Sequence, residues 1–114
     1  MRVIIAGGRD INDFDLVLDA VEDSGFDIDT VVSGGARGVD HMGEIFASEM
    51  NLKLNVYEAD WERNGRAAGP IRNRKMAENA DALIAIWDGK SRGTKNMIET
   101  AKKLGLLVYV KEVE

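Results

Sequence analysis

The chain has no cysteine, one histidine and one proline among its 114 residues. Without cysteine it cannot form a disulfide, a thiolate metal site or a cysteine nucleophile. With a single histidine, the side chains that remain as metal ligands are carboxylates, so we expect no metal site and no required cofactor. No apolar run is long enough for a membrane span or a signal-peptide core, so we expect a cytoplasmic protein without a membrane partner.

The chain is also short of positive charge, with 15 basic against 20 acidic residues and a net charge of −5. Proteins dedicated to duplex DNA use a broad basic face, so nucleic acid is not an expected partner. The charge is unevenly distributed: residues 10–36 hold eight acids and no base, whereas residues 63–75 hold five bases and no acid. An acidic chain with one basic loop indicates a small anionic ligand.

Short apolar runs alternate with amphipathic stretches, a pattern typical of a parallel sheet covered by helices on both faces. We predict one α/β domain over residues 1–114, a Rossmann-like three-layer sandwich with strand order 3-2-1-4-5 and about four helices. The helices are expected to begin near Asn12, after Gly38, at Pro70 and after Thr94, and Asn51 is expected to end the second. The predicted strands are Arg2–Ala6, Thr30–Ser33, Leu54–Tyr57, Ala82–Trp87 and Leu106–Val110.

Ligands of such sheets bind beyond the carboxyl ends of the strands, where the winding reverses between strands one and four. The loops at this edge, residues 7–10, 34–38, 60–70 and 88–94, all place glycine near a basic residue. Glycine allows close backbone approach, and a helix N-terminus favours an anion. The candidate ligand-binding residues are Gly7, Gly8, Arg9, Ser33, Gly34, Gly35, Arg37, Gly38, Asp40, Arg72, Asn73, Asp88, Gly93 and Thr94.

Several of these residues also have a purely structural interpretation. The turn of residues 33–40 could bind phosphate through its amides, or it could simply need positive φ angles. Thr94 could contact a ligand or cap its helix, and Trp61 could stack on a base or cover the sheet edge. Arg72 is expected in the first turn of its helix, and Arg72→Ala should weaken binding by about 1–3 kcal/mol while leaving the fold intact.

Five segments together resemble the YspA-type branch of the SLOG superfamily, to which the Lonely Guy proteins and DprA are related. These segments are residues 7–10, 33–40, 59–61, 68–76 and 93–97. The resemblance implies a Rossmann-like fold in a bacterial or phage protein and a nucleotide-derived ligand, such as ADP-ribose, NAD or a nucleoside phosphate. It also implies a sensing or sequestering role and a homo-oligomer, with a homodimer as the expected form.

Two other functions follow from the same resemblance. Lonely Guy proteins are nucleotide N-glycosidic phosphoribohydrolases with a glutamate three residues after a Gly-Thr pair, but here that position is Met97. A hydrolase would need Asp88, Asp40 or Glu99 instead, so catalysis remains an open alternative. DprA binds single-stranded DNA and carries a loop similar to residues 33–40, which makes strand binding a third choice.

Overall fold

The computed structural model describes residues 1–114 and contains one five-stranded parallel sheet in the order β3-β2-β1-β4-β5. This confirms the predicted fold class and strand order. The helices comprise four of eleven or twelve residues and a shorter one, α3, that the sequence pattern did not predict. The elements are β1 Arg2–Gly7, α1 Phe14–Ser24, β2 Thr30–Ser33, α2 Val39–Glu49, β3 Lys53–Val56, α3 Trp61–Asn64, a 3-10 turn Gly65–Ala67, α4 Ala68–Glu78, β4 Ala82–Trp87, α5 Arg92–Lys103 and β5 Leu107–Glu112.

The hydrophobic core lies in two layers, one on each face of the sheet. Alternate residues of a strand point to opposite faces, so Ile5 packs toward α1 and α2 while Ile4 packs on the other side with α4 and α5. The central strands are covered on both faces: residues 82–86 of β4 are all completely buried. This explains why β1 and β4 have unbroken apolar runs rather than alternating patterns.

The edge strand β3 departs from the prediction that the strands are covered on both faces. All four of its residues are exposed, including Leu54 at 40% and Val56 at 44%. The reason is position, because β3 pairs only with β2 and no helix extends fully over it. The exposure of this strand does not test the expected homo-oligomer, which stays a prediction.

Three helix starts differ from the predicted ones. Asp13, not Asn12, caps α1 by accepting from the Asp15 amide at 3.0 Å. The 3-10 turn runs directly into α4, so this helix begins at Ala68 rather than at Pro70.

The cap of α5 is Ser91, which places Thr94 inside the first turn rather than before it. The predicted end of α2 is confirmed, since Asn51 has a φ of +54° just beyond it. No helix combines the length and the apolar character needed to cross a membrane.

Candidate functional site

A cleft of about 1190 Å³ opens beyond the carboxyl ends of β1 and β4, and we call it the main cleft. It is the crevice that the strand order predicts, because β1 and β4 lead away to opposite sides of the sheet. Nine of the fourteen candidate residues line it, which places most of the expected site in one location. These nine are Gly7, Gly8, Arg9, Asp40, Arg72, Asn73, Asp88, Gly93 and Thr94.

A second cavity, of about 420 Å³, adjoins the main cleft near the ends of β2 and β3, and we call it the side pocket. Its lining includes the candidates Gly34, Gly35 and Arg37, together with Glu58 and Ala59. The two cavities are neighbours because four residues line both of them. The shared residues are Arg9, Ala36, Trp61 and Arg72.

Two candidates, Ser33 and Gly38, line neither cavity. The buried Ser33 hydroxyl donates to Glu44 Oε2 at 2.7 Å, a contact eleven residues apart that no local sequence pattern indicates. Gly38 has a φ of +75°, and a Cβ there would lie 2.6 Å from the Arg9 carbonyl oxygen. Ser33 thus connects β2 to α2, and Gly38 allows the loops after β1 and β2 to approach closely.

Three amides of the glycine-rich loop after β2 are engaged within the protein. The Gly35 amide donates to Ser33 Oγ at 3.1 Å, and the Ala36 amide donates to Asp40 Oδ2 at 3.3 Å. The Val39 amide, at the start of α2, donates to the Gly8 carbonyl oxygen at 3.2 Å. These three amides are thus already satisfied without a phosphate, and the ligand-binding role of the loop stays a prediction.

Arg72 and Asn73 form the centre of a polar chain across the site. Arg72 Nη1 donates to the Gly34 carbonyl oxygen at 2.6 Å, and its Nε donates to Asn73 Oδ1 at 2.9 Å. Asn73 Nδ2 donates in turn to Asn96 Oδ1 at 2.9 Å and to the Gly93 carbonyl oxygen at 3.3 Å. The chain connects the loop after β2 to α4 and α5. Because α4 starts earlier than predicted, Arg72 lies in its second turn, not its first.

Asp40, which is buried, and Arg72, which is half-buried, are the least exposed charged residues of the cleft. Burial raises the pKa of the Asp40 carboxyl, while the Ala36 amide and the positive charge of Arg72 oppose this rise. Burial likewise lowers the pKa of Arg72, with the charge of Asp40 opposing it, but a guanidinium remains protonated at any physiological pH. Both side chains press against Gly34, where a Cβ would lie 2.6 Å from Arg72 Nη1 and 2.8 Å from Asp40 Oδ2.

The loop between β4 and α5 is ordered by Asp88. Its Oδ1 accepts from the Lys90 and Ser91 amides at 2.8 Å each, and these bonds lower the pKa of Asp88. Ser91 then caps α5, and its carbonyl oxygen accepts from Trp87 Nε1 at 3.1 Å. The first amides of a helix have no partner within it, so the start of α5, where Gly93 lines the cleft, favours an anion.

The main cleft has a small excess of basic over acidic residues, although the chain has a net charge of −5. Five basic and four acidic residues line it, and several of the acids are occupied within the protein. Asp10, for example, pairs with Arg37 at 3.2 Å. The basic residues are Arg9, Arg66, Arg72, Lys90 and Arg92, and the acidic ones are Asp10, Asp40, Asp88 and Glu114.

The candidates chosen from sequence leave out several polar residues of the cleft, among them Arg66, Lys90, Ser91, Arg92 and Asn96. The first four lie in residues 60–70 and 88–94, two of the four loops that the strand order places at this edge of the sheet. Their position alone could therefore have identified them as candidates. Asn96 had no such signal, because its importance comes from the bond to Asn73.

Trp61 stands at the rim shared by the two cavities. Half of its surface is exposed, and the Arg9 guanidinium lies over its ring at 5.8 Å from the centroid. Of the two interpretations left open, this placement favours a rim aromatic that can stack on a ligand.

The comparisons with known proteins agree with this architecture. The model of the YAcAr family, described as the YspA, cpYpsA-related SLOG family, matches residues 1–64. The chain belongs to this family. The matched part of this SLOG protein includes the loops after β1 and β2, and the resemblance inferred from the sequence is thereby confirmed.

One relative and one solved structure extend the comparison. The chain is 37% identical over 117 residues to the Gene 61 protein of Mycobacterium phage D29, and the match covers 94% of this chain and 93% of the phage protein. DNA processing protein A (DprA) from Streptococcus pneumoniae has a similar structure, with a TM-score of 0.79 over 99% of this chain and a sequence identity of 17%. The chain spans about half the length of that DprA chain, 50%, and at this identity the likeness concerns the fold.

Proposed function

We propose that this SLOG protein binds a nucleotide or nucleotide-derived ligand in the main cleft and acts as a sensing or sequestering module. The observation that carries the proposal is the concentration of five basic side chains in one crevice of an acidic chain. The crevice lies at the switch point between β1 and β4, where sheets of this type bind ligands. Family membership supports the same class of ligand.

The basic residues differ in how free they are to bind an anion. Arg72 already donates to Gly34 and Asn73, so part of its hydrogen-bonding capacity is used. Arg66, just before α4, and Arg92, at the start of α5, both line the cleft and take part in none of the five salt bridges of the chain. We assign the phosphate contacts to these two side chains, with Trp61 available for a base.

Hydrolysis of an N-glycosidic bond has weaker support in this geometry. Met97, at the position of the Lonely Guy glutamate, is 1% exposed and lines the cleft with an apolar side chain. Asp40 and Asp88 both accept hydrogen bonds from backbone amides, and Glu99 lies outside the cleft lining. A catalytic carboxylate would have to be released from such bonds to act on the ligand.

Single-stranded DNA is the remaining alternative. The structural neighbour is named as a DNA processing protein, and an exposed tryptophan beside an arginine is a platform on which a base can stack. Against this, the chain has three phenylalanines, two tyrosines and two tryptophans in all and carries net negative charge. An extended strand site would need more aromatic residues and a longer basic groove.

Isothermal titration calorimetry with AMP, NAD and ADP-ribose tests the proposal. We expect binding to the wild type and binding weaker by about tenfold or more in Arg66→Ala and Arg92→Ala, since a charge-assisted bond contributes roughly 1.5–3 kcal/mol. Arg63→Ala is the matched control, because Arg63 is exposed on α3 and lines neither cavity. It should bind like the wild type.

Two further measurements separate the alternatives. Chromatography of the incubated mixtures should show intact ligand, whereas release of free base or ribose phosphate would support the hydrolase. A dT oligomer should not compete with AMP for the wild type. If it does compete, and the competition disappears in Trp61→Ala, the result would support strand binding. Absence of binding to all three small ligands would contradict the proposal.

A further inference from the structure

The polar chain from Arg72 through Asn73 to Asn96 can run in only one direction. A guanidinium has donors and no acceptor, so Arg72 Nε, 2.9 Å away, must face the oxygen of the Asn73 amide. The Gly93 carbonyl oxygen can only accept, so it must face Asn73 Nδ2, at 3.3 Å. Two independent partners therefore assign the same orientation to the Asn73 amide.

The orientation of Asn73 in turn sets that of Asn96. Asn73 Nδ2 donates to Asn96 Oδ1 at 2.9 Å, so the nitrogen of Asn96 is the free end of the chain. No buried side-chain nitrogen or oxygen lacks a hydrogen-bond partner, so the unbonded Asn96 Nδ2 is accessible, and this residue lines the main cleft. The cleft thus contains a neutral amide with two free N–H donors and an oxygen that is already engaged.

Asn96 is close to the aromatic residue at the rim of the cleft. Gly69, near the start of α4, lies against Trp61, because a Cβ there would be 3.4 Å from Trp61 Cη2. Asn73 follows Gly69 by four residues, so both occupy the same face of α4, about 5.4 Å apart along the helix. Since Asn73 bonds Asn96 directly, a purine that stacks on Trp61 can extend its edge along this face toward Asn96.

A free donor at this place distinguishes two kinds of purine. An amide that recognises adenine uses both of its ends, the nitrogen toward N7 and the oxygen toward the 6-amino group. The oxygen of Asn96 is engaged with Asn73, so this pair of bonds is disfavoured. A 6-oxopurine instead has two acceptors, O6 and N7, on the same edge, and both suit an N–H donor.

We infer that Asn96 is a specificity-determining residue, through which the main cleft selects a 6-oxopurine nucleotide over a 6-aminopurine nucleotide. Its Nδ2 donates to O6 of the base, whereas the amino group of adenine would bring a donor against a donor. Arg66 and Arg92 keep their phosphate contacts and Trp61 keeps its stacking role, so adenine nucleotides still bind, but more weakly. This inference rests on the proposed function, since it requires the base of a nucleotide to lie in the main cleft.

Calorimetric titration with IMP and AMP tests the inference, because the two nucleotides differ only in their bases: IMP has O6 and N1–H where AMP has an amino group and a bare N1. In the wild type, IMP should bind about fivefold more tightly than AMP, as expected of one neutral hydrogen bond. Asn96→Asp keeps an oxygen for Asn73 Nδ2 but replaces the free donors by an acceptor. The ratio of the two affinities should therefore fall to one or below.

Asn55→Asp is the matched control, because Asn55 is exposed on β3 and lines neither cavity. It adds the same charge and should keep the wild-type ratio of affinities. Thermal unfolding of both variants verifies that they are folded.

The outcomes separate this inference from the proposed function. Equal affinities for IMP and AMP in the wild type, or tighter binding of AMP, would overturn the role of Asn96 and leave the main cleft as the nucleotide site. An unchanged ratio in Asn96→Asp, even with both affinities reduced, would mean that the amide contacts a group common to both nucleotides, such as the phosphate, and would also overturn it. If neither nucleotide binds, the proposed function itself fails.

Discussion

Arg72 Nη1 donates to the Gly34 carbonyl oxygen at 2.6 Å and so connects α4 to the loop after β2. The same guanidinium donates to Asn73, whose amide continues the chain of hydrogen bonds to α5. Three elements that border the two cavities are therefore held by one pair of adjacent residues. The shape of the site depends on this polar chain as much as on the hydrophobic core beneath it.

Arg72→Ala should lower the free energy of unfolding by about 1.5–3 kcal/mol, because it leaves the Gly34 carbonyl oxygen and Asn73 Oδ1 without a donor. Urea denaturation measures this change. The sequence analysis expects this variant to keep its fold, and the hydrogen bonds of Arg72 add that the folded variant is less stable. Arg74→Ala is the control: Arg74 makes an exposed pair with Glu78 at 3.6 Å, and its loss should cost less than about 0.5 kcal/mol. Equal stabilities for the two variants would contradict the role assigned to Arg72.

Asp40 should titrate with a pKa above its ordinary value of 3.8, because burial disfavours its charged form. The folded state then holds the proton more tightly than the unfolded chain. The stability that Asp40 contributes is consequently complete below pH 3.8 and declines as the pH rises through the folded-state pKa.

The ¹³C resonance of the Asp40 carboxyl, followed by NMR against pH, gives this pKa directly. Asp40→Asn identifies the resonance and removes the titration. The unfolding free energy of the wild type relative to this variant should fall as the pH rises above 3.8. A titration midpoint at or below 3.8 would show that the Ala36 amide and Arg72 outweigh burial.

Gly38→Ala should be strongly destabilising, by about 2 kcal/mol or more, because the residue has a positive φ and its Cβ would meet backbone atoms of the loop after β1. Gly93→Ala is the matched control, since a Cβ there meets nothing within 4 Å. Its stability should stay within about 0.5 kcal/mol of the wild type, or rise slightly, as expected for alanine in a helix. Thermal unfolding of both variants checks the contrast, and similar midpoints would contradict it.

The sheet order and the crevice could be predicted from the sequence, whereas the hydrogen bonds of the loop amides could not. The sheet order and the crevice followed from apolar runs and glycine turns, because those patterns reflect local periodicity and the handedness of the connections. The internal use of the loop amides by Ser33 and Asp40 could not be predicted in this way. Whether an amide is free depends on which side chain the fold brings to it, and Ser33 itself is positioned by Glu44 on another element.

The short helix α3 and the displaced helix starts have a more local explanation. Residues 61–64 form a single turn capped by Asp60, which is too short to show an apolar period. The sequence places several capping residues close together, with Asn12 beside Asp13 and Ser91 three before Thr94. In the structure, Asp13 and Ser91 are the ones that accept hydrogen bonds from the first amides of their helices.

Trp61 should report ligand binding by fluorescence. It is half exposed at the rim of both cavities, whereas Trp87 donates its Nε1 to Ser91 beside the loop. Addition of AMP should quench the emission of the wild type, since the base stacks on the Trp61 ring. Trp61→Phe should abolish most of the quenching while retaining a stacking surface. Quenching that persists in this variant would place the base away from the rim.

The central claim, that a nucleotide binds between the ends of β1 and β4, is tested most directly by an NMR titration of ¹⁵N-labelled protein with AMP. The account predicts the largest shifts at the amides of Gly7, Gly8 and Gly93, which line the main cleft, and at the indole of Trp61. Glycines distant from the cleft, Gly25 and Gly105 at the helix ends, should not move. Shifts that cluster away from the main cleft, or no shifts at millimolar AMP, would contradict it.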